Sequence, residues 1–193
     1  MQMSRARRAA PSRTSWLTAA ALAGLAVMPA GCGTIIAQAP PVRPALVVAD
    51  SRGATFTVLR GPPEEDLCSS FGVRSVCVRG IGDEMRRGVG TILGASMTSA
   101  TGDVDYVADF RAQALDMRRR SWTNGVTPSF RWRFTLRRRD GRVVIDLQET
   151  TTAPKELPFD GDGRAALVTV ETITLERIRQ IVAELGREAP PAL

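Results

Sequence analysis

Residues 129–151, SFRWRFTLRRRDGRVVIDLQETT, constrain the fold more than any other stretch. Apolar and polar side chains alternate on both sides of Asp140-Gly141, a preferred centre for a two-residue hairpin turn. With that turn Arg139 faces Arg142, and counting outward sets Leu136 beside Ile145 and Phe134 beside Leu147. These apolar partners share one face of the ribbon, whereas a one-residue slip would set Phe134 beside Asp146 or Gln148. The chain is therefore expected to build an antiparallel sheet with one buried face. The other face carries Arg131, Arg133, Arg137 and Arg139.

The flanking segments extend this layout. Val104, Tyr106, Ala108, Phe110 and Ala112 alternate with Asp105, Asp109 and Arg111, as a half-buried strand requires. Beyond Gln113 the apolar parity reverses at Leu115 and Met117, which points to a bulge or a strand end. Residues 80–94 space Ile81, Met85, Val89 and Ile92 as a helix does, and residues 164–186 repeat that pattern, with Gly186 as the expected stop and a strand as the alternative for the β-branched stretch LVTVETIT. Shorter extended pieces are expected over 45–53, 54–61 and 73–80, and a loop over 61–72. The fold class that follows is α+β, a mostly antiparallel sheet with helices packed on one face.

The N-terminus has a different composition. Arg5, Arg7, Arg8 and Arg13 stand in a stretch without acids, followed by the short apolar run LTAAALAGLAVM and then Pro29-Ala30-Gly31-Cys32. A basic head, a short apolar middle and a small-residue exit make a secretory signal rather than a membrane span. Ala30-Gly31-Cys32 resembles the bacterial lipobox, with Pro29 where that motif usually has Leu. The resemblance implies that residues 1–31 are removed and that Cys32 becomes the lipid-attachment residue. Gly33 in place of Asp implies the outer membrane. Residues 32–44, with three prolines, then read as a lipidated tether, 45–187 as one domain and 188–193 as a frayed tail.

Charge and cysteine usage fit export. The chain holds 26 basic and 20 acidic residues, but four arginines belong to the signal, so the remainder stands at 22 against 20. A net charge near +2 gives no reason to expect nucleic acid as a partner. Cys68 and Cys77 are an even pair in a chain read as exported, and so form either a disulfide or two buried thiols. No metal or cofactor is expected. Asp160, Asp162 and Glu171 occupy first, third and twelfth positions of a calcium-type loop, yet Arg164 and Ala165 stand where a ligand and a glycine are needed. With no histidine and only Lys155 as lysine, no catalytic residue is nominated and the chain is read as non-enzymatic.

PAGCG, the stretch VVADSRG, VDYVADFRAQA and FRWRFTLRRRDGRVVIDLQE together resemble small bacterial outer-membrane lipoproteins. These include the YajG-type family, the auxiliary lipoproteins of ABC-type transport systems and the lipoprotein partner of lipopolysaccharide export. The resemblance implies a non-catalytic role in envelope transport or assembly on the periplasmic face of the outer membrane. It also implies an acyl anchor in the membrane and a protein partner in the envelope. An alternative function is a binding module for an anionic lipid or glycolipid on Arg131, Arg133, Arg137 and Arg139, since guanidinium forks match phosphate geometry. A charge ladder with Asp105 and Asp109 of the adjacent strand is the simpler expectation for that row.

Overall fold

A computed structural model describes residues 34–41, 53–71, 74–99, 102–119, 125–159 and 163–188. All of them belong to one compact unit, Cys32–Leu193. The elements are β1 (Thr34–Gln38), β2 (Phe56–Leu59), β3 (Leu67–Phe71), β4 (Arg74–Arg79), α1 (Ile81–Leu93), β5 (Met97–Thr98), β6 (Tyr106–Arg119), β7 (Gly125–Arg138), β8 (Val143–Thr152), β9 (Leu157–Pro158) and α2 (Arg164–Glu188). They form a six-stranded sheet in the order β5-β2-β6-β7-β8, with β9 also on β7, and a three-stranded sheet in the order β1-β4-β3. The fold is α+β as expected, but both sheets are mixed. β2 runs parallel to β5 and β6, and β1 runs parallel to β4. A crossover through α1 leads from β2 to β6, and such a connection returns the chain in the same direction.

β6, β7 and β8 make an antiparallel ribbon in which Phe134 pairs with Leu147 and Leu136 with Ile145, the register expected from the alternation. The turn differs. Arg138 N–H donates to the Arg142 carbonyl, Gly141 N–H donates to the Arg138 carbonyl, and Gly141 sits at φ 84°. The loop is therefore three residues, 139–141, with glycine in the left-handed position that such loops require. A shift between Leu136 and Arg137 absorbs the extra residue and preserves the pairing further out. On β6 the parity reversal is a bulge between Ala112 and Ala114. It returns Leu115 and Met117 to the buried side beside Phe110.

The core lies between this ribbon and the helices. Phe110, Phe130, Trp132 and Phe134 are fully buried, and the Phe110 and Trp132 rings stack with centroids 6.1 Å apart. α1 contributes Ile81, Met85, Val89 and Ile92, and α2 contributes Leu167, Val170, Leu175 and Ile178. The Trp132 indole donates to Thr151 Oγ1 at 2.9 Å, which also accepts from Thr174 Oγ1 at 2.8 Å, so these three buried side chains satisfy one another. α2 continues past Gly186 to Glu188, since neighbouring turns offset the roughly 1 kcal/mol that a helical glycine costs.

Two segments read as irregular are strands. Residues 34–38, assigned to the tether, form β1 because Thr34, Ile35 and Ile36 favour extended backbone and the prolines begin only at Pro40. Leu67–Phe71, assigned to a loop, forms β3 and pairs with β4. That pairing sets Cys68 directly opposite Cys77, and the two are disulfide-bonded. Replacing both with serine is expected to lower stability by about 2–3 kcal/mol, read as a shifted urea midpoint with an unchanged slope. The strand expected over 45–53 lies almost wholly outside the described residues.

Candidate functional site

The outward face of the ribbon gathers the arginines. Alternation along β7 exposes Arg131, Arg133 and Arg137, while the partner positions on β6 are Ala114, Arg111 and Val107. Arg111 thus stands directly opposite Arg133, and like charges so placed destabilise a sheet unless something separates them. Acids do so here. Asp109 accepts from Arg111 Nε at 3.1 Å, and Asp146 accepts from Arg133 at 2.8 and 2.6 Å in a two-pronged contact. The Arg133 hydrogen bonds hold the Asp146 carboxyl below its ordinary range, with smaller help from Thr135 and Arg137. Asp146 in turn holds the Arg133 guanidinium further up. A cleft of about 80 Å³ opens between Asp109, Arg111, Arg133, Thr135 and Arg137.

Arg139 does not join this row. It lies in the three-residue loop, pairs with Asp103, and its N–H donates to the Asp105 carbonyl at 2.9 Å. Asp105 is held low chiefly by the backbone N–H and hydroxyl of Thr55, both at 2.9 Å. A groove of about 750 Å³ runs from this loop along Val107, Asp109 and Arg111. Three of the four nominated arginines therefore share one face, and Arg133 and Arg139 are already ion-paired. Arg131 and Arg137 make no ion pair among the described residues. The nearby Arg118 pairs with Asp116 at 2.8 Å. Cys32, residues 1–31, Asp160 and Asp162 lie outside the described residues.

Two buried charged groups escaped sequence reasoning. Arg86 on α1 is 1% exposed. It donates to the Phe110 carbonyl at 3.1 Å, to Asp83 Oδ1 at 2.8 Å, and to Glu64. Burial raises the Glu64 carboxyl, and Arg86 opposes that shift. The available signal was Gly82-x-x-x-Arg86-x-x-x-Gly90, glycines one turn on either side of an arginine on the apolar flank. An added Cβ on Gly82 would fall 1.5 Å from Glu64 Oε2, so only glycine admits that carboxylate. Glu171 on α2 is 2% exposed, and its Oε1 has no hydrogen-bond partner among the described residues. Burial, and secondarily Glu84, push its carboxyl up to about 8.

No family model matches the chain, and no curated protein matches it. Solved structures to which it is similar include a Xanthomonas campestris protein of the family DUF330, at 13% identity and TM-score 0.46, over 79% of this chain and 92% of that one. A candidate lipoprotein from Caulobacter crescentus is similar at 11% identity and TM-score 0.40, over 54% and 82%. A minor lipoprotein from Acinetobacter baumannii is similar at 13% identity and TM-score 0.35, over 69% and 94%. Among the described residues no helix is long and apolar enough to cross a membrane.

Proposed function

We propose that this chain is a non-catalytic, lipid-anchored envelope protein of the bacterial outer membrane, serving as an accessory or scaffold component of a transport or assembly machine. One observation carries the anchored part: β1, the first described strand, begins at Thr34, two residues after the cysteine that lipobox processing would make the first of the mature chain, and is paired along its length with β4. A single acyl chain holds a protein at a membrane only marginally, so the reading requires the two or three chains of a processed lipoprotein. The accessory role is supported by the charge ladder on the exposed sheet face. Asp146 occupies the guanidinium fork of Arg133 and Asp109 accepts from Arg111 Nε, which suits a protein surface of mixed charge better than a bare phosphate.

Cys32→Ala is the decisive variant. Wild-type protein from a bacterial host is expected to lose residues 1–31, gain a diacylglyceryl mass and partition with membranes. The variant is expected to keep residues 1–31 and to gain no acyl mass. Equal partitioning of the two, without added mass on the wild type, would end the lipoprotein reading.

Arg131 and Arg137, lacking ion-pair partners among the described residues, favour a second reading in which the face captures an anionic lipid or glycolipid. Neutralising Arg131, Arg133 and Arg137 separates the two. Capture predicts that salt-dependent binding of the Cys32→Ala chain to anionic vesicles collapses in the triple variant. Docking to a protein predicts that no such binding exists to be lost.

A further inference from the structure

The first strand begins immediately after the anchor residue. Only Gly33 separates Cys32 from Thr34, so two Cα–Cα steps of about 3.8 Å bound their separation. Thr34 is not free to drift from the domain, because β1 is hydrogen-bonded along its length to β4. What the prolines suggested as a spacer follows the strand and cannot lift the domain from a lipid attached at Cys32.

The strand register identifies which end of the domain is held. Thr34 pairs with Ser75, and Ser75 pairs with Ser70, so the start of β1, the end of β3 and the start of β4 lie together. The Ala112 N–H lies against Glu64, and the Met117 N–H donates to Ser69 Oγ at 2.8 Å. The segment leading through β3 therefore runs alongside β6 in the same direction, and the two strands end near each other. Arg118 projects from β6 at this end with its side chain 81% exposed and pairs with Asp116, and Glu156 lies at the same end against Gly125. Ile36, 60% exposed, is on the outer face of edge strand β1 one pleat above Thr34. The opposite end carries the 139–141 loop, since Tyr106 pairs with Arg138. At about 3.3 Å per residue, the 14 residues of β6 put these ends about 40 Å apart.

Resting on the lipoprotein reading, we propose that the domain sits flush on its own bilayer, with the end formed by Thr34, Ser70, Ser75 and Arg118 in the headgroup layer. Ile36 reaches the interface, and Arg118 faces anionic headgroups. The Arg131–Arg137 face and the 139–141 loop then stand upright from the membrane, where a soluble or integral partner can reach them.

Depth-resolved quenching tests this with full-length acylated protein in vesicles of phosphatidylethanolamine and phosphatidylglycerol. With Cys32 acylated and Cys68 bonded to Cys77, an introduced cysteine is the one free thiol. A fluorophore on Arg118→Cys is expected to lose most of its emission to a headgroup-attached quencher, and one on Arg142→Cys to lose none. A flexible Gly/Ser insert of about twelve residues between Gly33 and Thr34, worth about 20 Å of reach, is expected to abolish the quenching at 118. Unquenched or equally quenched labels on protein whose mass carries the acyl group would overturn the flush geometry and leave the anchor standing. Absence of the acyl mass would remove the anchor, and the geometry with it.

Discussion

Arg86→Ala is expected to cost about 3–5 kcal/mol, a large share of the 5–15 kcal/mol that holds a typical domain together. The argument starts from burial. The guanidinium is enclosed between α1, β6 and the segment before β3, and its donors serve Glu64, Asp83 and the Phe110 carbonyl. Truncation strands the Glu64 carboxylate in a site built around Gly82, with no cation to offset its desolvation. Exposed pairs behave differently: Arg133→Ala, breaking a half-exposed contact with Asp146, is expected to leave the urea midpoint nearly unchanged. Urea denaturation of both variants makes the comparison. A double variant, Arg86→Met with Glu64→Gln, removes both charges and is expected to recover most of the loss. A loss near 1 kcal/mol for Arg86→Ala alone would mean that water reaches Glu64 and the cluster is not structural.

The ribbon of β7 and β8 was legible because two independent signals agree there, a period of two and a turn with glycine. Its register survived an error in the turn: Gly141 takes the last position of a three-residue loop, and a compensating bulge restores the pairing that alternation demands. Parity also located the β6 bulge, since apolar side chains that must reach one core cannot change face without an extra residue. β1 and β3 were missed for the opposite reason. TIIAQ and LCSSF each offer five residues, too short for periodicity to speak, and their partners lie far along the chain. Parallel neighbours of β2 were equally silent, because nothing local records the direction of a strand's partner. The exposed arginines could be assigned to a face by counting, but their acids could not. Asp146 pairs with Arg133 from a neighbouring strand, and Asp103 reaches Arg139 from outside any strand. Charge alone therefore overstated how much of that face is free for a ligand.

Stability is expected to fall as pH rises from about 5 to 8, and Glu171 supplies most of that slope. Its carboxyl goes from 4.5 to about 8 on folding, chiefly because α2 carries it into the core and secondarily because Glu84 of α1 faces it. Between those values the folded chain holds a proton that the unfolded chain has released. Stability must then decrease with pH, by up to about 1.4 kcal/mol per unit, whereas below the unfolded value the contribution is fully present. Across the whole window this amounts to something on the order of 4–5 kcal/mol. Glu64, raised by its own burial, acts in the same direction. Asp105 and Asp146, held low by hydrogen bonds, act in the opposite direction, and their contribution is lost only in acid. Glu171→Gln keeps the shape and removes the titration, so its urea midpoints at pH 5, 6.5 and 8 are expected to lie close together while those of the wild type fall steadily. Glu84→Gln removes the opposing charge and is expected to reduce the slope without abolishing it, since burial is the larger cause. An equal slope in Glu171→Gln would assign the pH dependence elsewhere and mean that the carboxyl between α1 and α2 is hydrated and ionised in the folded chain.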